Sequence, residues 1–137
     1  MNSSIVLHVG VKIFLRNSAG KYLLLRRSKI RYPNIKNCWD IPGGRIVFGT
    51  TLFENLKREV LEETKLRIVG EPRLLSAQDI INRKNHKHIV RITYIARANG
   101  KSILNEEHIE SAWCTIEEMK KNPRLDEFTR EVIENNF

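Results

Sequence analysis

The chain is poor in the features that mark disulfide-held, secreted or membrane proteins. Of its 137 residues only Cys38 and Cys114 are cysteines, too few for a disulfide framework and without the paired spacing of a metal knuckle. They read as free thiols of a reducing cytoplasm, with one disulfide as the alternative. No apolar run approaches the ~20 residues that span a bilayer. The opening Met1-Asn2-Ser3-Ser4 brings neither a basic stretch nor a small-residue cleavage site, so no secretory leader is expected. Repeats, low-complexity tracts and linkers are also missing. One domain over residues 1–137 is the expectation, large enough to bury about two thirds of its unfolded surface. Acid is the scarcer charge: 16 Asp and Glu against 24 Lys and Arg leave +8. That balance suits an anionic ligand such as a nucleotide, a phosphate or RNA, and equally a surface kept soluble by dispersed lysine and arginine.

What is present alternates between strand and helix patterns. Ile5, Leu7, Val9, Val11, Ile13 and Leu15 recur at period two and predict a strand over 5–15. Asn17–Gly20 is a turn, 21–27 the returning strand, and the polar stretch 28–38, with Pro33 and Asn34, a loop. Trp39–Ile41 is extended, because Pro42 biases its predecessor away from helix. Further strands are expected at 68–69, 74–81, 88–98 and 112–115, with a basic hairpin loop at 82–85 and a turn at Asn99-Gly100. Thr51-Leu52-Phe53-Glu54 and Thr115-Ile116-Glu117-Glu118 each fit a capping box. They predict a helix from 51 to about 65 and a short helix ended by Pro123. Pro123 is expected to open a last helix carrying Leu125, Phe128, Val132 and Ile133 at helical spacing. The order implies a mixed α/β domain.

The chemistry concentrates on the first of these helices. At about 100° per residue, Glu59, Glu62 and Glu63 share an arc of roughly 100°, and Glu63 projects between Leu52 and Leu56 on the apolar face. Like charges at this spacing weaken a helix by roughly 0.2–0.5 kcal/mol per pair, and partial burial adds to the cost. A divalent cation reverses the problem, since Mg²⁺ seeks carboxylate oxygen. The alternative is a solvated acidic face braced by Glu54–Arg58 and Arg58–Glu62 pairs. Gly43-Gly44 ahead of the helix, at fixed spacing, decides between them.

With those residues in place the chain resembles the Nudix hydrolase family. The family signature is Gly, five residues, Glu, seven residues, then Arg-Glu-aliphatic-x-Glu-Glu-x-Gly-aliphatic. Here it reads Gly44, Thr50, then Arg58-Glu59-Val60-Leu61-Glu62-Glu63-Thr64-Lys65-Leu66. The resemblance implies an α/β/α sandwich around a mixed β-sheet. It also implies hydrolysis of the pyrophosphate linkage of a nucleoside diphosphate derivative, with Mg²⁺ or Mn²⁺ on Gly44, Glu59, Glu62 and Glu63. Arg58 matches the arginine that holds a motif glutamate, and Glu107, about six residues before Trp113, matches a late metal-binding or basic glutamate. For substrate contacts, Arg26, Arg27, Arg45, Trp39 and Tyr32 are the candidates, each with a structural role as its alternative. His108 reads as a loop residue, and the cluster Arg83, Lys84, His86, Lys87 and His88 as a solvated tip or an RNA contact. A homodimer is compatible with the sequence.

Two positions depart from the signature. Thr50 stands in place of glutamate, which implies weaker binding of one ion or attack at a sugar carbon. Lys65 stands in place of the helix-ending glycine, at a cost on the order of 1 kcal/mol. A Nudix-fold module that binds nucleotide or RNA without catalysis is the competing class, and the complete Arg-Glu-x-x-Glu-Glu core argues against it.

Overall fold

The computed structural model describes residues 4–137; Met1 to Ser3, where the reading of an absent leader begins, lie outside the described residues. Among those described, the strands are β1 (Val6–Arg16), β2 (Tyr22–Arg27), β3 (Trp39–Asp40), β4 (Gly43–Arg45), β5 (Ile68–Asn82), β6 (Lys87–Ala98) and β7 (His108–Cys114). The helices are α1 (Leu52–Thr64), α2 (Ile116–Lys121) and α3 (Glu127–Asn136). The strands make one mixed sheet in the order β3-β2-β1-β6-β5, with β4 beside β1 and β7 beside β2. β1 and β6 run parallel, from Val6 facing Lys87 to Arg16 facing Arg97. The opposite edge of β1 is divided: Gly10 to Lys12 pair with β4, whereas Arg16 pairs with β2.

Both faces of the sheet are covered. Val11, Ile13 and Leu15 of β1 pack with Leu23 and Leu25 of β2 against Leu56 and Val60 of α1. On the other face Phe14, Tyr22 and Leu24 meet Met119 of α2, Leu125, and Val132 and Ile133 of α3. The result is the expected α/β/α sandwich around a mixed sheet. No described helix is long and apolar enough to cross a membrane.

Local chemistry explains the helix ends. Thr51 and Thr115 both close full capping boxes, with Glu54 and Glu118 as their partners. Lys65 ends α1 in the left-handed region at φ 62°, its N–H donating to the Leu61 carbonyl, so a lysine adopts the conformation normally given to glycine.

Several expectations are corrected. Gly43-Gly44 is a strand segment as well as a turn, because β1 supplies it with pairing partners. The two strands expected between 68 and 81 are one, bent by register shifts near Arg73 and Ser76. The chain bends at Gly100, at φ 119°, and β7 then crosses over to pair with β2. The last helix starts at Glu127, with Asp126 as its cap, accepting from the Phe128 and Thr129 amides. Leu125 instead bridges to Trp39.

Candidate active site

The site begins with two glycines: a side chain at Gly43 would force the backbone to move, and one at Gly44 would displace the Glu59 carboxylate. A Cβ on Gly43 would lie 2.0 Å from the Val11 carbonyl, and the residue sits at φ 147°. A Cβ on Gly44 would lie 2.7 Å from the Glu59 carboxylate. The glycines therefore let α1 carry its acids against the β4 backbone. Gly43 N–H donates to Glu63 Oε1 at 2.9 Å. Arg58 Nη1 lies 3.0 Å from Glu59 Oε1, and its Nη2 donates to the Arg45 carbonyl and to Asn55 Oδ1.

These groups form one wall of a cleft of about 560 Å³, within the size range of small-molecule sites. The segment before β7 adds Glu107, and β7 opens with the buried His108. One donor atom from each of Glu63, Glu107 and His108 lies within 4.8 Å of the others. Burial pushes the Glu63 carboxyl up to about 7, against the pull of Lys12 and of the Gly43 amide. Burial also raises Glu59, which Arg58 opposes and Glu62 reinforces. Burial, aided by Lys12 and Arg27, lowers His108 to about 4, so its ring is neutral near pH 7. Asn105 Oδ1 accepts from the Glu107 amide and lies 3.1 Å from His108 Nδ1. An acceptor there requires the ring proton on Nδ1. Nε2, 3.9 Å from Glu63 Oε2, therefore presents its lone pair to the acids.

The floor is cationic. Lys12 of β1 and Arg91 of β6 are 8% and 6% exposed, and both line the cleft with Arg27. All three converge on Asp40: Lys12 Nζ at 3.0 Å, Arg27 Nη2 at 3.2 Å and Arg91 Nη2 at 3.3 Å. Arg91 also pairs with Asp126 at 3.0 Å. Burial pushes the Asp40 carboxyl up, but Lys12, Arg91 and Arg27 outweigh it and hold it well below the usual range.

The expected site residues divide accordingly. Gly44, Arg45, Glu59, Glu63, Glu107 and Tyr32 line the cleft, and Arg58 braces Glu59 from outside it. Glu62 is not among the residues that line the cleft; it is 56% exposed and 3.7 Å from Arg58. Arg26 leaves the site: a register shift separates it from Arg27, and it pairs with Glu110 at 3.0 Å in solvent. Trp39 packs on the core beneath α2 and α3 rather than in the cleft. Arg27 takes the inward position and stacks over Tyr32, 5.6 Å from the ring centroid. Thr50 stands at the entrance to α1, donating to the Val47 carbonyl at 2.6 Å. Lys12, Asp40, Arg91 and the buried face of His108 were not anticipated. A lysine inside the apolar alternation of β1 was the one local sign of them.

Comparison with known proteins agrees with this geometry. The NUDIX domain model matches residues 6–135. Over 62 residues the chain is 42% identical to the m7GpppN-mRNA hydrolase NUDT17 of Xenopus laevis, a match covering 44% of this chain. It spans only 20% of that curated relative. The MutT protein from Methanosarcina mazei Go1 superposes with a TM-score of 0.81 at 28% identity, covering 96% of this chain and 93% of its own. The MutT NUDIX hydrolase from Burkholderia pseudomallei gives 0.80 at 24% identity, over 94% and 97%, a likeness of fold. From the glycine strand, the acid-bearing helix and these matches together, the chain belongs to the Nudix hydrolase family.

Proposed function

We propose that this protein hydrolyses the pyrophosphate linkage of a nucleoside diphosphate derivative, a nucleotide or nucleotide sugar, in a Mg²⁺- or Mn²⁺-dependent reaction. The observation that carries this reading is that Glu59, Glu63 and Glu107 line one cleft, with Glu63 and Glu107 within reach of a common ion. Burial makes Glu59 and Glu63 bind protons more tightly than usual, and hard oxygen donors such as these fit a divalent cation. Family members generally use such ions. Here Glu59, Glu63 and Glu107 would hold the ion with the Gly44 backbone, and Glu62 would join from the rim. The ion would supply charge neutralisation at phosphate oxygens and a more acidic water.

This chain's own residues do the rest. Arg58 fixes Glu59 by charge-assisted hydrogen bonds, and the Gly43 amide fixes Glu63. Arg27, Arg45 and Lys12 offer positive charge to the phosphates, and Tyr32 borders the path of the leaving group. In this reading Glu107 accepts the proton of the attacking water. The free thiols Cys38 and Cys114 suit a reducing cytoplasm. A 5′-capped RNA belongs to the same substrate class, and the named activity of the Xenopus relative together with the exposed basic tip around Arg83 and Lys84 favours including it.

The test is a screen of nucleotides, nucleotide sugars and capped RNA with Mg²⁺ in ¹⁸O-water. Label on a phosphate product supports attack at phosphorus. Label on a sugar moves attack to carbon, and absence of turnover across the panel defeats the reading.

A further inference from the structure

The signature's glutamate is missing at Thr50, yet Arg58 has a buried side-chain acceptor close by. The holder is Asn55, one turn N-terminal to Arg58 inside α1 and 1% exposed. Its Oδ1 accepts from Arg58 Nη2 at 2.9 Å and from the Val47 amide at 3.0 Å. Its Nδ2 donates to Thr50 Oγ1 at 2.7 Å and to the Thr51 carbonyl. The arginine and the Val47 amide can only donate, and the Thr51 carbonyl can only accept, so the orientation of the amide is settled by its partners. Every hydrogen-bonding capacity of the side chain is used. Asparagine is an unfavourable residue within a helix, because its side chain competes for the backbone. Here that tendency is absorbed by the loop it ties down.

The chain of contacts then runs Thr50, Asn55, Arg58, Glu59, and ends where Glu59 lies over Gly44. Without Asn55, Arg58 Nη1 would keep Glu59, but Nη2 would be left with the Arg45 carbonyl at 3.3 Å and lose its shorter acceptor. We propose that Asn55 is a positioning residue which, in a chain with threonine at position 50, fixes Arg58 from within the helix and so sets Glu59 through it. This rests on the hydrolase reading for its effect on rate, but not for its effect on Arg58.

Three variants test it: Asn55→Ala, Asn55→Asp, and Asn55→Ala combined with Thr50→Glu. A glutamate at 50 is two bonds longer than threonine and can enter the space vacated by the Asn55 amide. The first readout is the ¹⁵N NMR signal of the Arg58 guanidinium in the metal-free protein. A slowly rotating, dispersed signal is expected in the wild type, lost in Asn55→Ala, and kept in Asn55→Asp and in the double variant. The second readout is kinetic. Asn55→Ala should lower kcat by about 10-fold to 100-fold, as for groups that support a ligand, with KM little changed, and the other two variants should recover most of it. An unchanged Arg58 signal in folded Asn55→Ala overturns the proposal whatever the activity. If Asn55→Ala does not fold, Asn55→Asp decides alone: a lost Arg58 signal there overturns the proposal, and a retained one supports it. Wild-type protein inert toward every nucleotide would instead defeat the hydrolase reading, leaving the Arg58 result standing.

Discussion

The cleft holds two charged clusters built from similar residues, and they end in opposite states. Around Asp40 one buried carboxylate meets Lys12, Arg27 and Arg91, and its proton affinity falls well below normal. Around Glu63 the neighbours are Glu59, Glu107 and a neutral imidazole, and proton affinity rises. The first cluster is complete within the protein, and it ties β1, β2, β3, β6 and the start of α3 together. The second holds more acids than cations: Arg58 pairs with Glu59, and Lys12, which pulls on Glu63, is shared with Asp40. The first cluster sets three cations against two carboxylates, and the second gathers acids in excess; the acid-rich side is where a cation brings the missing sign.

The contrast can be broken most severely at Asp40. Asp40→Asn strands three cations in a buried space, and removing one partner of such a network costs about 3–5 kcal/mol. Urea unfolding should read that loss, and a change no larger than an exposed pair gives, about 1 kcal/mol or less, would dissolve the contrast. At the other cluster, Glu63→Gln should cut turnover by about 100-fold or more, the upper end for groups that merely support a ligand, with the fold intact by circular dichroism. Glu62→Gln, at the exposed rim, should lose about tenfold on the same scale; equal losses would put both acids in one cluster.

Stability against pH sharpens the comparison further. Glu63 titrates near 7 when folded and near 4.5 when unfolded, so the folded form holds the extra proton between those values. Its contribution therefore falls as pH rises through that window. His108 behaves oppositely: about 4 folded against 6.5 unfolded, so stability rises with pH between them. In metal-free wild type the two slopes oppose each other. His108→Asn should expose the fall from pH 4.5 to 7, and millimolar Mg²⁺ or Mn²⁺ should reverse it. Thermal melts across pH measure both, and a flat profile in His108→Asn would remove Glu63 from the buried cluster. The smallest effect lies outside both clusters. Lys65→Gly, relieving the left-handed lysine, should stabilise by about 0.5–1 kcal/mol in the same melts.

What could be read in the sequence was what short-range chemistry decides. The two capping boxes, the alternation of β1 and the wheel position of Glu59 and Glu63 depend on neighbours within a few residues. Glycine at 43 and 44 was likewise visible, although its reason, the approach of Val11 and Glu59, came only from the fold. The floor was hidden because Lys12, Asp40 and Arg91 meet through strand pairing across most of the chain. Trp39 and Arg26 went astray for a related reason: which face of a short or bulged strand is inward depends on its partners. Asn55 carried no local sign, since a polar residue in a helix usually faces water.

The parallel pairing of β1 with β6 has a bearing on how the molecule comes into being. Val6 finds its partner only at Lys87, and Arg16 only at Arg97, so the central strand waits for most of the polypeptide to leave the ribosome. Such distant closures make assembly slow, and during the wait the edge of β1 that faces β6 is without its ladder partner. An N-terminal fragment ending with the glycine-and-glutamate motif would therefore lack the far wall of the cleft, Ile80, Ile89, Arg91, Glu107 and His108.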